Sequence, residues 1–197
     1  MHKPWLMTAA SYGDAEVARV LIEVGADLDA TAAPDAGGVP GGSALLHAAV
    51  FGMTDVVNVL VKAGARVRSI EEAAAAGDVT GWLLNETPMQ ARIWALVMAA
   101  DHERLDVIDP LIAAGVPIDA SDAQWGRQAL RIAVRNGRVA SVRRLLARGA
   151  DPNVRDAMHN RTALDWCHPE HRDPEHRSLD SPEHEQVQAI LEAVTAL

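Results

Sequence analysis

The sequence predicts an all-α solenoid of stacked helix-turn-helix units, and three observations point to it. The phrase Gly-Ala-Asp closes an apolar stretch at Gly25-Ala26-Asp27 and again at Gly149-Ala150-Asp151, with the variants Gly64-Ala65-Arg66 and Gly115-Val116-Pro117 between them. Twelve residues before each marker stands a residue that ends a preceding helix: Gly13, Gly52, Glu103 and Gly137. Alanine pairs at Ala9-Ala10, Ala48-Ala49, Ala73-Ala74 and Ala99-Ala100 fall where first helices pack closely. Units of this length cannot bury their own apolar faces and must stack on neighbours.

Two stretches carry a fuller motif. One reads Ser43-Ala44-Leu45-Leu46-His47-Ala48-Ala49, then Gly52, Val59-Leu60 and Gly64. The other reads Gln128-Ala129-Leu130, then Ala133, Gly137, Leu145-Leu146 and Gly149-Ala150-Asp151-Pro152-Asn153. This resembles the ankyrin pattern, a T-P-L-H-x-A-A helix followed by a glycine turn, a V-V-x-x-L-L helix and a G-A-D-x-N-A loop. The resemblance covers nearly the whole chain and implies paired helices joined by hairpin-like loops. It divides the sequence into about six repeats, near 3–30, 43–68, 69–86, 87–120, 121–155 and 156–197, within a single domain. Repeats three and six are irregular.

In chain order, the first helix opens at Lys3-Pro4-Trp5-Leu6-Met7, which leaves the N-terminal end of the stack nearly bare. Equivalent first-helix positions are Leu6, Leu45, Ile70, Leu96, Leu130 and Leu164, at intervals of 39, 25, 26, 34 and 34, against a family period of about 33. The long first interval comes from residues 31–42, too rich in Gly and Pro for a helix and therefore an extended loop. Val67-Arg68-Ser69 runs directly into residues 70–77 with Ser69 as helix cap, so repeat three loses its hairpin. Gly81 breaks its second helix, and Thr87-Pro88 starts a longer first helix for repeat four. Residues 160–167 begin the last repeat. After a polar insertion, Ser181 as cap and Pro182 in the first turn start a helix that closes the core.

Composition agrees with one domain, at 197 residues and 49% hydrophobic. The N-terminal residues lack a basic segment followed by an apolar run. The longest apolar stretch, 93–100, is far too short to span a bilayer. These features predict a soluble, cytoplasmic protein, and the Ala/Arg-rich usage suggests a bacterial source. Cys167, the single cysteine, excludes an intrachain disulfide and fits a reducing compartment.

The family resemblance implies partner binding through loop tips and the concave faces of first helices. It assigns to that face Ser11-Tyr12, Val50-Phe51, Ala75-Ala76, Asp101-His102 and Arg135-Asn136. Tyr12 and Phe51, the only Tyr and Phe of the chain, share one repeat position in adjacent repeats and form a candidate aromatic anchor. Charge is uneven. Residues 121–165 hold nine arginines against four aspartates, net +5, and the remainder nine bases against twenty-three acids, net −14. Arg127, Arg131 and Arg135 recur every four residues and would share one helix face, suited to an acidic peptide. The balancing alternative is a solvated face that offsets the acidic repeats. Trp125, in a loop tip, would either fold back or present itself to a partner. The overall acidity disfavours nucleic acid. The predicted partner-binding set is Tyr12, Phe51, His102, Trp125, Arg127, Arg131, Arg135 and Asn136. A bound protein or peptide would have an apolar end and an acidic end.

Enzymatic and metal chemistry are the lesser readings. Cys167, His168, His171 and His176 could in principle supply a zinc set, yet their spacing matches no common finger. Cys167 also occupies the place of a buried alanine, where a thiol behaves as a small hydrophobe. Gly37-Gly38 and Gly41-Gly42 lack the strand and helix-borne lysine of a phosphate loop, so no cofactor and no catalytic residue are predicted. Of the other tryptophans, Trp82, Trp94 and Trp166 are expected between helices and Trp5 over the start of the stack. The alternative to a protein-interaction or adaptor module is a small-molecule binder or unusual enzyme. It would use a pocket at irregular repeat three, near Ala75, Trp82, Trp94 and His102.

Overall fold

The computed structural model describes residues 5–34, 38–123, 125–156, 159–167 and 181–196. Among them are ten α-helices. They are α1 (Trp5–Tyr12), α2 (Ala15–Glu23), α3 (Ala44–Val50), α4 (Thr54–Lys62), α5 (Ile70–Ala76), α6 (Met89–Asp101), α7 (Leu105–Ala113), α8 (Ala129–Arg135), α9 (Val139–Ala147) and α10 (Pro182–Thr195). A 3-10 turn covers Asp165–Cys167. Extended pairing among the described residues is limited to two isolated bridges, Thr31 with Ser43 and Ser121 with Gln128. None of these helices is long and apolar enough to cross a membrane.

Local signals set the helix ends. Asp14 accepts a hydrogen bond from the Val17 amide, and Ser43 accepts one from Leu46. Ser69 and Glu72 complete a reciprocal capping box at α5. The turn between paired helices demands positive φ. Gly13, at φ 75°, also has the Met53 sulfur 2.5 Å from where a Cβ would stand. Glu103 fills the same turn position as a non-glycine at φ 53°, and its carboxylate accepts the Ala140 amide at 2.9 Å.

The fold groups into two compact units, Met1–Gly81 and Trp82–Leu197. In the first, α1 packs on α3 and α3 on α5, while α2 packs on α4. Leu6, Met7, Leu45, Val56 and Leu60 form its core. Polar stitches join successive repeats. Asp29 accepts the Arg66 amide, and the Arg68 guanidinium donates to the Asp29 carbonyl. The Ser43 hydroxyl donates to the carboxylate of Glu72, which is 2% exposed. No helix follows α5 before Pro88, the cap of the thirteen-residue α6, so the broken second helix and the longer first helix both appear.

In the second unit α6 packs on α8, α8 on the 3-10 turn, α7 on α9 and α9 on α10. Leu96, Met98, Ile108, Leu111 and Leu145 are buried here, and α10 adds Val187 and Leu191, both fully covered. Asp119 accepts the Asp151 amide, repeating the role of Asp29. Asp109 on α7 receives Arg144 of α9 at 2.6 Å and the Nε of Arg148, just past that helix, at 3.0 Å. The last repeat keeps its second helix but reduces its first to the 3-10 turn. Ser181 stands at the cap of α10, with its hydroxyl against the His184 ring rather than a backbone amide.

Candidate partner-binding site

In the first unit, α1 and α3 end side by side. Tyr12, the last residue of α1, is 81% exposed, and Phe51, just past α3, is 40% exposed. The two residues hold equivalent positions at the ends of packed helices. His47 of α3 is fully buried, with its ring centroid 6.2 Å from that of Phe51. The His47 Nε2 lies 3.1 Å from the Val39 carbonyl, and Nδ1 lies 3.0 Å from the Ser11 hydroxyl. A carbonyl only accepts, so Nε2 carries a hydrogen and donates it. The imidazole thereby ties α1 and the inserted loop to the helix that carries Phe51. His47 belongs to the repeat motif, but the sequence assigned it no part in the site. Its signal is a polar residue at the register of Ile132, since Ser43 and Gln128 are equivalent caps.

In the second unit the predicted arginine face is built differently. Gln128 caps α8 in an extended conformation, so Arg127 precedes the helix and does not share a helical stripe with Arg131 and Arg135. Its guanidinium lies 4.5 Å from the Trp125 ring centroid. Trp125 in turn folds back and meets Trp94 edge-on at 5.5 Å. Arg131 donates to the Gly126 carbonyl at 2.9 Å, lies 3.9 Å from Asp156 and stands 5.6 Å over Trp166. Burial pushes the Arg127 and Arg131 guanidinium pKa values below their ordinary value, with nearby carboxylates opposing that shift.

Asp122 and Asp156, one repeat apart, each hold a tight loop. Asp122 accepts the Trp125 and Arg127 amides at 2.7 and 2.8 Å, and Asp156 accepts the His159 amide at 2.6 Å and the Trp166 indole at 3.0 Å. Burial raises the Asp156 pKa, but these donors and Arg131 together bring it below the ordinary carboxylate value. Asp101 and His102, expected on the concave face, are 1% and 2% exposed. They sit at the end of the long α6, where Asn136 donates to Asp101 at 2.6 Å and Arg138 lies 3.7 Å from it. Arg135 and Asn136 are half-buried at the end of α8.

Cys167 is buried, at the register of Ala133. His168, His171 and His176 lie outside the described residues. Among the described residues no group of three or more His, Cys, Asp or Glu is placed to hold a metal. The segment that replaces the second helix of repeat three borders an open cavity of about 490 Å³, lined by Trp82, Leu83, Leu84, Glu86 and Ala113 among others. Trp94 and His102, expected in such a pocket, are engaged elsewhere in the unit, against Trp125 and in the core.

A family model described as ankyrin repeats (three copies) matches residues 2–71 and 70–156. Palmitoyltransferase Hip14 of Drosophila melanogaster is 34% identical over 93 residues, a stretch that is 47% of this chain and 13% of that protein. The likeness to Hip14 therefore concerns a small part of the longer protein. The helix pairs and their glycine turns follow the pattern that the family model describes over most of the sequence, and the chain belongs to the ankyrin-repeat family.

Proposed function

We propose that this chain is a protein-interaction or adaptor module that grips a partner through the Tyr12/Phe51 ledge. Ankyrin repeats generally mediate protein–protein interaction. The observation that favours this ledge is the exposure of two large aromatic side chains at equivalent positions of adjacent helices, beside the buried Leu6, Met7, Leu45 and Val50. Exposed aromatic anchors of this kind supply much of the energy of interfaces at a low entropic cost. The arginine face is a weaker candidate for an acidic segment, because Asp101, Asp122 and Asp156 already offset its charge.

The test is affinity capture from native lysate with wild type beside Tyr12→Ala/Phe51→Ala, read by mass spectrometry. A protein retained by the wild type and lost by a still-folded double variant supports the ledge. Retention by both removes it. The cavity beside Trp82 supports a second reading, a small-molecule site, since its volume falls within the range of ligand pockets. A co-purifying metabolite that raises the melting temperature in proportion to its occupancy would favour that reading.

A further inference from the structure

We propose that the partner segment seated on the Tyr12/Phe51 ledge is cationic, placing arginine or lysine side chains over the two rings. This inference rests on the ledge reading and adds the chemistry of its occupant. The turns after α1 and α5 carry the exposed carboxylates Asp14, two residues after Tyr12, and Asp78, after Gly77, and the first turn of α4 carries the exposed Asp55, four residues after Phe51. These helices pack in the order α1, α3, α5, so the three carboxylates and two rings share one edge of the unit.

No basic side chain answers them on that edge among the described residues. Arg19 is paired with Glu16 at 2.7 Å. Lys62 ends α4, at the opposite end of that helix from Asp55. Arg66 and Arg68 follow at the same far end, Arg66 meeting Asp29 through its backbone amide and Arg68 through its guanidinium. Arg19 apart, the described bases of this unit therefore stand at the hairpin end, where Glu23, Asp27 and Asp29 also lie, and away from Asp14, Asp55 and Asp78. Residues 1–81 carry ten acids against five bases, net −5 with histidine neutral.

Asp14 and Asp55 also serve as the cap and first-turn acid of α2 and α4, which explains their presence at helix starts. Their field still extends over the rings. Thr80 donates to Asp78 from both its hydroxyl and its amide, which holds that carboxyl below its ordinary pKa and keeps it charged. A cation here gains from the aromatic faces and from the carboxylates together. An acidic segment would meet uncompensated like charge.

The experiment uses the full chain at about pH 7.5, where the carboxylates are charged. Two labelled peptides are titrated by fluorescence anisotropy. One alternates arginine with leucine and glycine, and the other has glutamate at every arginine. The arginine peptide should bind more tightly, and Tyr12→Ala/Phe51→Ala should weaken it roughly tenfold. Asp55→Asn/Asp78→Asn should weaken it about threefold and flatten its salt dependence. Glu183→Gln/Glu185→Gln on α10 changes the net charge equally and should alter binding by less than about twofold.

Equal weakening by the Asp and Glu pairs would overturn the inference in favour of general charge attraction. Tighter, Tyr12- and Phe51-dependent binding of the glutamate peptide would overturn it while leaving the ledge standing. Binding of both peptides that is indifferent to Tyr12 and Phe51 would remove the ledge itself. Circular dichroism of each variant separates these results from misfolding.

Discussion

At Gly137 two constraints meet: φ is 63°, and the His184 ring lies 2.9 Å from the place of a Cβ. Gly149 also has positive φ, at 93°, but open space around it. Gly149→Ala should therefore cost about 1 kcal/mol for backbone strain alone. Gly137→Ala should cost more, about 2–3 kcal/mol, because α10 must also shift. Chemical denaturation of the two variants would show the difference, and equal losses would mean the His184 seat is slack. His47 makes the opposite case, since a buried polar residue looks indispensable. Val39 also receives the Gly42 amide, and the Ser11 hydroxyl lies 2.9 Å from the Met7 carbonyl, so both partners keep an alternative. His47→Leu should thus cost less than about 1 kcal/mol. Asp156 carries a pH signature. Its folded pKa is depressed, so its contribution is complete above the unfolded value of about 3.9 and is lost as pH falls through the folded value. Acid titration of stability should show that loss in the wild type and a smaller one in Asp156→Asn.

Helices are held to one another less by their own propensity than by repeat-to-repeat contacts, and α7 with α9 shows how. Asp109 takes Arg144 and Arg148 together, and hydrogen bonding from Arg148 is the leading cause of its lowered pKa. The pair is partly exposed, so Asp109→Ala should cost only about 0.5–1 kcal/mol, a loss that shrinks in high salt. A thermal melt at two ionic strengths checks this, and a salt-independent loss would point to packing instead. Helix starts were legible where the local chemistry is distinctive: Ser69, Thr87-Pro88 and Ser181 mark the starts of α5, α6 and α10. Where a helix start carries no such local mark, the reading slipped. Counting every fourth residue put Arg127 on α8, but the extended backbone of Gln128 starts that helix only at Ala129.

For the molecule as a whole, periodicity was enough to identify the repeats, because the glycine turns and buried alanines recur at fixed register. The site was less legible for a physical reason. The charge of Arg131 is answered by Asp156, and Asn136 by Asp101 thirty-five residues earlier, pairings that arise only when repeats stack. Tyr12 and Phe51 stand just before a turn glycine and are exposed, yet His102, at the same register before Glu103, is buried, so the position alone does not set exposure. The tryptophans, in turn, are divided unevenly between the units. Trp5, 70% exposed, is the lone indole of the first, and Trp82, Trp94, Trp125 and Trp166 all lie in the second. Emission from a Trp5→Phe protein would report the second unit alone, with the Trp94–Trp125 pair as a close-coupled chromophore, while the single tyrosine reports the first. The chain thus carries its own colour code, by which the unfolding of each half can be followed without any added label.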